Sequence, residues 1–197
     1  MSLDLYMYAG INGAGKSSLY SSSTSAEIKK SKRANADEIA KDNNWDWHDQ
    51  SKNFKAMRLE VENIFSFIEN KQSFNMETTF ASSKKSYLNI LNKAKKQGFT
   101  THLLYVGLSD PELAKKRVHA RVAKGGHGIP DEIVEKRYPK SLKTLDQVIS
   151  CFDTVDIYDN TNRYKLIYSR NGNRINFTSH SVLWAKDIII KDESRYK

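Results

Sequence analysis

Near the N-terminus the segment Gly10-Ile-Asn-Gly-Ala-Gly-Lys-Ser17 fits the pattern G-x-x-x-x-G-K-[ST]. Glycines let a backbone fold tightly enough for its amide N–H groups to converge on phosphate oxygens. A helix beginning at the lysine would present its positive end to the same anion. The segment therefore predicts a nucleoside triphosphate site, for ATP or GTP, built from Gly10, Asn12, Gly13, Ala14, Gly15, Lys16, Ser17 and Ser18. Lys16 is expected to bridge the β- and γ-phosphates, and the Ser17 hydroxyl to ligate Mg²⁺.

Residues further along would decide where a phosphoryl group goes. Asp37 follows a short predicted strand, in Asn35-Ala-Asp-Glu-Ile39. A carboxylate there could accept a proton from a substrate hydroxyl; its residue type also suits a helix cap. Glu77, Thr78 and Thr79 end another predicted strand at the same sheet edge, where they could hold a substrate or the hydration shell of Mg²⁺. They also fit a polar strand end.

Arg117 and Arg121 lie four apart on a predicted helix, with Lys124 one turn on, so they share a face. Val118 and Val122 should point to the core instead. The glycine-rich loop that follows could let this element close like a lid, bringing guanidinium groups to the transferring phosphate. The plainer alternative is an exposed basic face. Arg137, on the next helix, is a secondary candidate. His127, in the glycine loop, reads first as a solvated residue. Trp45, Trp47 and Phe54 could line an acceptor pocket or simply pack. No His/Cys cluster has metal-ligand spacing.

These residues need a scaffold. Leu3–Ala9 reads as a buried strand feeding the glycine loop. Helix should follow over residues 17–22, ending in a serine-rich loop over 21–25. Residues 33–36 suggest a second strand, with a helix from Asp37. Residues 43–50 read as loop. Phe54, Met57, Val61, Ile64, Phe65 and Ile68 recur at helical spacing. Residues 73–76 form a third short strand, and a helix around Tyr87–Ala94 should end at Gly98. Thr100–Val106 is the clearest strand. Ser109-Asp-Pro-Glu112 reads as a capping box with proline in the first turn. Its helix should reach Lys124, a loop should span Gly125–Pro130, and another helix residues 131–149. A strand over 153–158 and a hairpin turning at Asn171-Gly172 complete the series. Residues 182–190 could be helix or strand. Strands alternating with helices imply an α/β fold with a mostly parallel sheet and helices on both faces. Residues 1–160 are read as the nucleotide-binding domain, and 161–197 as an extension packed on it.

Composition narrows the class. The chain has 197 residues, 39% apolar and 28% charged, which suits one globular core. The single cysteine, Cys151, excludes an internal disulfide and fits a reducing compartment. No secretion signal or membrane-length apolar run is seen, so a cytoplasmic location and no membrane partner are expected. The net charge of +9 is uneven: residues 81–150 alone carry 14 basic and 6 acidic side chains. Such a field attracts anions, including nucleic acid.

Taken in order, these segments resemble the zeta-toxin family of P-loop kinases, in its short stand-alone branch. The resemblance rests on Ala9–Ser17, Asn35–Ala40, Glu77-Thr-Thr-Phe-Ala81, Arg121-Val-Ala-Lys-Gly-Gly-His-Gly-Ile-Pro130, Ile133–Leu142 and Asp159-Asn160. It implies a nucleotide-kinase-like P-loop NTPase fold. It implies that Asp37 activates an acceptor hydroxyl, that Glu77 and Thr78 help hold the acceptor, and that lid arginines aid transfer. In members studied as toxins the acceptor is UDP-N-acetylglucosamine, and an antitoxin protein blocks the nucleotide site. The lid of this chain differs, so its second arginine maps to Arg121 or Arg137, and residues from about 161 have no counterpart. The expectation is an ATP/Mg²⁺-dependent kinase acting on a small-molecule hydroxyl. The alternatives are a polynucleotide-end kinase and a non-catalytic nucleotide-dependent switch.

Overall fold

The computed structural model describes residues 2–22, 25–46 and 48–196. Among these, seven strands form one sheet: β1 (Leu3–Ala9), β2 (Lys32–Ala34), β3 (Phe74–Thr78), β4 (Phe99–Gly107), β5 (Thr154–Asp159), β6 (Lys165–Asn171) and β7 (Arg174–Thr178). Their spatial order is β2-β3-β1-β4-β5-β6-β7. The first five pair in parallel, and β6 and β7 add on antiparallel. β1 sits between β3 and β4, which is why its residues Leu5, Met7, Tyr8 and Ala9 are fully buried. A parallel sheet places the carboxyl ends of its strands together, and ligands bind at that edge. The loops after β1, β2, β3, β4 and β5 therefore converge.

The helices are α1 (Lys16–Ser22), α2 (Ala26–Lys30), α3 (Ala36–Asp42), α4 (Gln50–Glu69), α5 (Lys84–Lys96), α6 (Pro111–Val122), α7 (Asp131–Val148) and α8 (Leu183–Glu193). The mostly parallel α/β architecture follows the alternation of apolar runs. Local corrections have local causes. β2 stops at Ala34 rather than running to residue 36, because the Asn35 carbonyl side-chain oxygen accepts from the N–H groups of Asp37 and Glu38 and starts α3. α6 is capped by Asp110, not Ser109. Asp110 accepts from Leu113 N at 2.9 Å, and Pro111 then occupies the first helical position, where its missing N–H costs nothing. Val122, expected in the core, is 37% exposed, whereas Val118 is buried. α2 is absent from the sequence expectation. It is five residues long, too short for a helical period to show.

The ambiguous tail is a helix, α8, and a buried polar network fastens it. Arg170 Nε donates to Asp192 Oδ2 at 3.1 Å, and Tyr168 Oη donates to the same oxygen at 2.9 Å. Arg170 Nη2 also donates to the carbonyls of Ile149 and Phe152. Each buried charge is thus paired and hydrogen-bonded, the condition under which such a pair is tolerated. Trp184 of α8 packs against Gly107. A Cβ there would come within 2.2 Å of the indole, so only glycine fits. The Trp184 indole N–H donates to Asp159 Oδ1 at 2.9 Å, which ties the tail to the end of β5. No helix among the described residues is long and apolar enough to cross a membrane.

Candidate functional site

The loop between β1 and α1 wraps back under its own helix. Gly10 has φ +136°, and a Cβ on it would lie 2.1 Å from the Val106 carbonyl oxygen of β4. Gly15 has φ +107° and faces the Asn160 amide and the Tyr164 hydroxyl at similar closeness. Side chains at either point would push the loop off the sheet. Asn160 donates to the Ala14 carbonyl at 2.8 Å, and Tyr164 donates to the Gly15 carbonyl. These two contacts hold the loop carbonyls of Ala14 and Gly15 from outside the loop.

That cleft has a volume of about 1080 Å³. It brings together Asn12, Gly13, Gly15, Lys16, Ser17 and Ser18 from the loop with Asp37, Glu77, Thr78, Thr79, Arg117 and Arg121. Gly10 and Ala14 are buried beneath it and shape the turn. Arg137 and His127 also reach the cleft, so both lid arginine candidates are present together with Arg117. Lys124 does not line it.

Lys16 is almost wholly enclosed. Its Nζ donates to the Ile11 carbonyl at 3.2 Å. Burial pulls its pKa below the ordinary lysine value, while Glu77 and Asp37 push it back up. Ser17 Oγ donates to Glu77 Oε2 at 3.0 Å, and Arg33 grips the other Glu77 oxygen. Arg33 is itself fixed by Glu38 at 2.7 Å and by stacking on Tyr20. Thr78 spends its hydroxyl locally, at 2.9 Å from Tyr87 Oη and accepting from Phe80 N. Thr79 faces the cleft.

The arginines are held differently. Arg117 Nη2 donates to the Thr161 carbonyl at 3.1 Å. Arg137 Nη1 donates to Asn12 Oδ1 at 2.9 Å, and burial lowers its pKa. Arg121 is the exception: its buried Nε and Nη2 have no hydrogen-bond partner in the free protein. Leaving two buried guanidinium nitrogens without partners is costly, and a site that does so suits an anion. This orphaned guanidinium, the enclosed lysine and the glycine cradle fit a polyphosphate. Ser17 Oγ and Glu77 are hard oxygen donors of the kind Mg²⁺ takes. No cluster of three or more metal-ligating side chains occurs among the described residues, and a Mg²⁺ held largely by phosphates needs none.

Glu60 of α4 was not singled out in the sequence, yet it lines the same cleft. Burial, then the nearby Asp37 charge, push its pKa up to about 8, against an accepted hydrogen bond from the Ala36 backbone. Between the ordinary 4.5 and about 8 the unfolded chain releases this proton while the folded protein keeps it. Stability is therefore lost as pH rises through that window, then levels. Glu60→Gln should show a stability advantage over wild type that grows from pH 5 to 8, reaching roughly 1–3 kcal/mol. A pH-independent difference in thermal melts would contradict the assignment.

Phe54 and Met57 of α4 also line the cleft, 68% and 48% exposed. Trp45 does not; it lies beneath Lys52 and Lys55, with Lys55 Nζ 5.0 Å from its ring centroid. Trp47 lies outside the described residues.

Comparison with known proteins follows the same outline. A family model described as Zeta toxin matches residues 4–172. An uncharacterized protein of Haemophilus influenzae is 35% identical over 133 residues, covering 66% of this chain and 89% of its own length. The PezAT chromosomal toxin-antitoxin system of Streptococcus pneumoniae has a structure similar at a TM-score of 0.64. It is 14% identical, covering 98% of this chain and 86% of its own. The AvrRxo1-ORF1:-ORF2 structure with ATP reaches 0.69 at 15% identity, covering 98% of this chain and 64% of its own. At such identities the structural likeness speaks to the fold.

Proposed function

The chain belongs to the zeta-toxin family of P-loop kinases, and we propose that it transfers the γ-phosphoryl group of ATP to a hydroxyl of a small molecule, a nucleotide-activated sugar such as UDP-N-acetylglucosamine. The observation that carries this reading is the meeting of opposite chemistries in one cleft. The phosphate loop, Lys16 and the unpartnered Arg121 form a cationic floor, and Asp37 stands on the same rim. The cleft volume slightly exceeds the range of a single-ligand pocket, roughly 300–1,000 Å³, which leaves room for donor and acceptor together.

In this reading Gly13, Gly15 and Lys16 hold the donor phosphates. Ser17 and Glu77 would hold Mg²⁺, which would supply charge neutralisation for the donor phosphates. Asp37 accepts the proton of the acceptor hydroxyl. Arg121, assisted by Arg117 and Arg137, offsets charge on the transferring group. Thr79, with Glu60, Phe54 and Met57 across the cleft, contacts the acceptor. Most of the rate comes from positioning and fixed charge rather than covalent chemistry.

A small acceptor is favoured over a polynucleotide end by where the basic charge lies. The lysines that give residues 81–150 their excess do not line the cleft. The toxin-antitoxin system among the structural relatives supports a protein partner, an antitoxin, for this chain as well. The test is transfer of label from γ-labelled ATP to UDP-N-acetylglucosamine and a panel of other nucleotide sugars. Label in one of these acceptors is the expected result. Label released only as inorganic phosphate, at a rate no acceptor changes, would favour a nucleotide-dependent switch.

A further inference from the structure

His127 reaches the cleft because α6 ends abruptly. Gly125 takes φ +78°, its N–H donates to the Val122 carbonyl at 2.8 Å, and the Gly126 N–H donates to the Arg121 carbonyl at 3.0 Å. This paired closure turns the chain back across the end of its own helix. Gly126 then packs on Arg121, where an added Cβ would sit 2.6 Å from Arg121 Cγ. The next residue is carried to the opposite wall. His127 Nε2 stands 3.9 Å from Asp37 Oδ1, with 29% of the imidazole side chain exposed. One turn thus sets two side chains, Arg121 toward the phosphates and His127 toward Asp37.

We propose that His127 is a positioning residue for Asp37: on a small lid movement its Nε2–H donates to Asp37 Oδ1 and leaves Oδ2 to take the acceptor's proton. This rests on the kinase reading given above. In the step it serves, the acceptor O–H bond breaks and its proton goes to Asp37 Oδ2. The acceptor oxygen bonds the γ-phosphorus, and the bond from that phosphorus to the bridging oxygen breaks, its electron pair leaving with ADP. Without the imidazole, Asp37 is free to rotate, being 57% exposed and with Asn35 rather than its own carboxylate capping α3. The groups facing His127 are Asp37 on α3, Arg121 on α6 and His48 before α4. Burial, with Arg121 and His48, holds the imidazole below its usual pKa against the pull of Asp37, so the neutral donor prevails at pH 7.

The test uses the full chain. His127→Ala should lower kcat by about 10- to 100-fold while the KM for ATP stays within about twofold. His127→Gln keeps an N–H donor and should recover most of that loss. Equal loss in both variants, or none in either, would overturn the proposal. Imidazole ¹⁵N NMR with a non-hydrolysable ATP analogue gives a readout that needs no turnover. Asp37→Asn should move the His127 Nε2 resonance and lower the imidazole pKa. An unmoved resonance would overturn the proposal even if transfer is observed. Absence of transfer by wild type with a shifted resonance would refute the kinase reading and leave the His127–Asp37 contact standing.

Discussion

Arg121→Ala should lower kcat for phosphoryl transfer by about 10³-fold or more, the range in which arginines that meet transition-state charge operate. The distinguishing feature is the sign of the stability change. Truncating a buried arginine with partners ordinarily destabilises a protein. Here the guanidinium nitrogens Nε and Nη2 are buried and unpaired, so their removal relieves a desolvation cost in the free protein. Thermal melts should show Arg121→Ala at least as stable as wild type, while its turnover collapses. Arg121→Lys should rescue little, because a lysine lacks the planar fork that meets two phosphate oxygens at once. A variant that melts several degrees lower and loses activity in proportion would instead mark Arg121 as a structural residue.

Asp37→Asn should reduce kcat by about 10²- to 10⁴-fold with ATP affinity nearly unchanged, the effect expected for loss of a general base. Asparagine keeps the shape and cannot take the proton. The fold should not notice, since the N-terminus of α3 is capped by Asn35, which accepts from Asp37 N at 2.9 Å and Glu38 N at 3.3 Å. Single-turnover kinetics with bound ATP separates the chemical step from binding. Loss of ATP affinity with an intact chemical step would reassign Asp37 to the nucleotide.

How far the residues announced this arrangement depends on the kind of signal each carried. The phosphate loop is a local pattern, and its conformation follows from glycines that no other residue can replace at Gly10 and Gly15. The parallel sheet was legible mainly from β1 and β4, apolar runs set between helical periods. The end of α8 was not, since Ile188, Ile189 and Ile190 suit strand as well as helix. What decides it is long-range: Asp192 meets Arg170 and Tyr168 only in the folded chain. Val122 misled for a related reason, because helical spacing says which side chains share a face but not where the neighbouring element stops covering it. Glu60 gave no signal at all. Its perturbation comes from burial in the folded cleft and then from Asp37 and Glu77 brought beside α4. His127 looked solvated because the turn at Gly125-Gly126 that delivers it to Asp37 is a three-dimensional fact.

We propose that the cleft joins a triphosphate to an acceptor hydroxyl. The most direct measurement incubates the protein with ATP and a cell metabolite extract, then follows all small molecules by mass spectrometry. With wild type, one metabolite should gain a single phosphate as ATP falls, and the product should be absent with Asp37→Asn and Arg121→Ala. ATP consumed with no phosphorylated metabolite formed, or the same product from wild type and Asp37→Asn at equal rates, would contradict it.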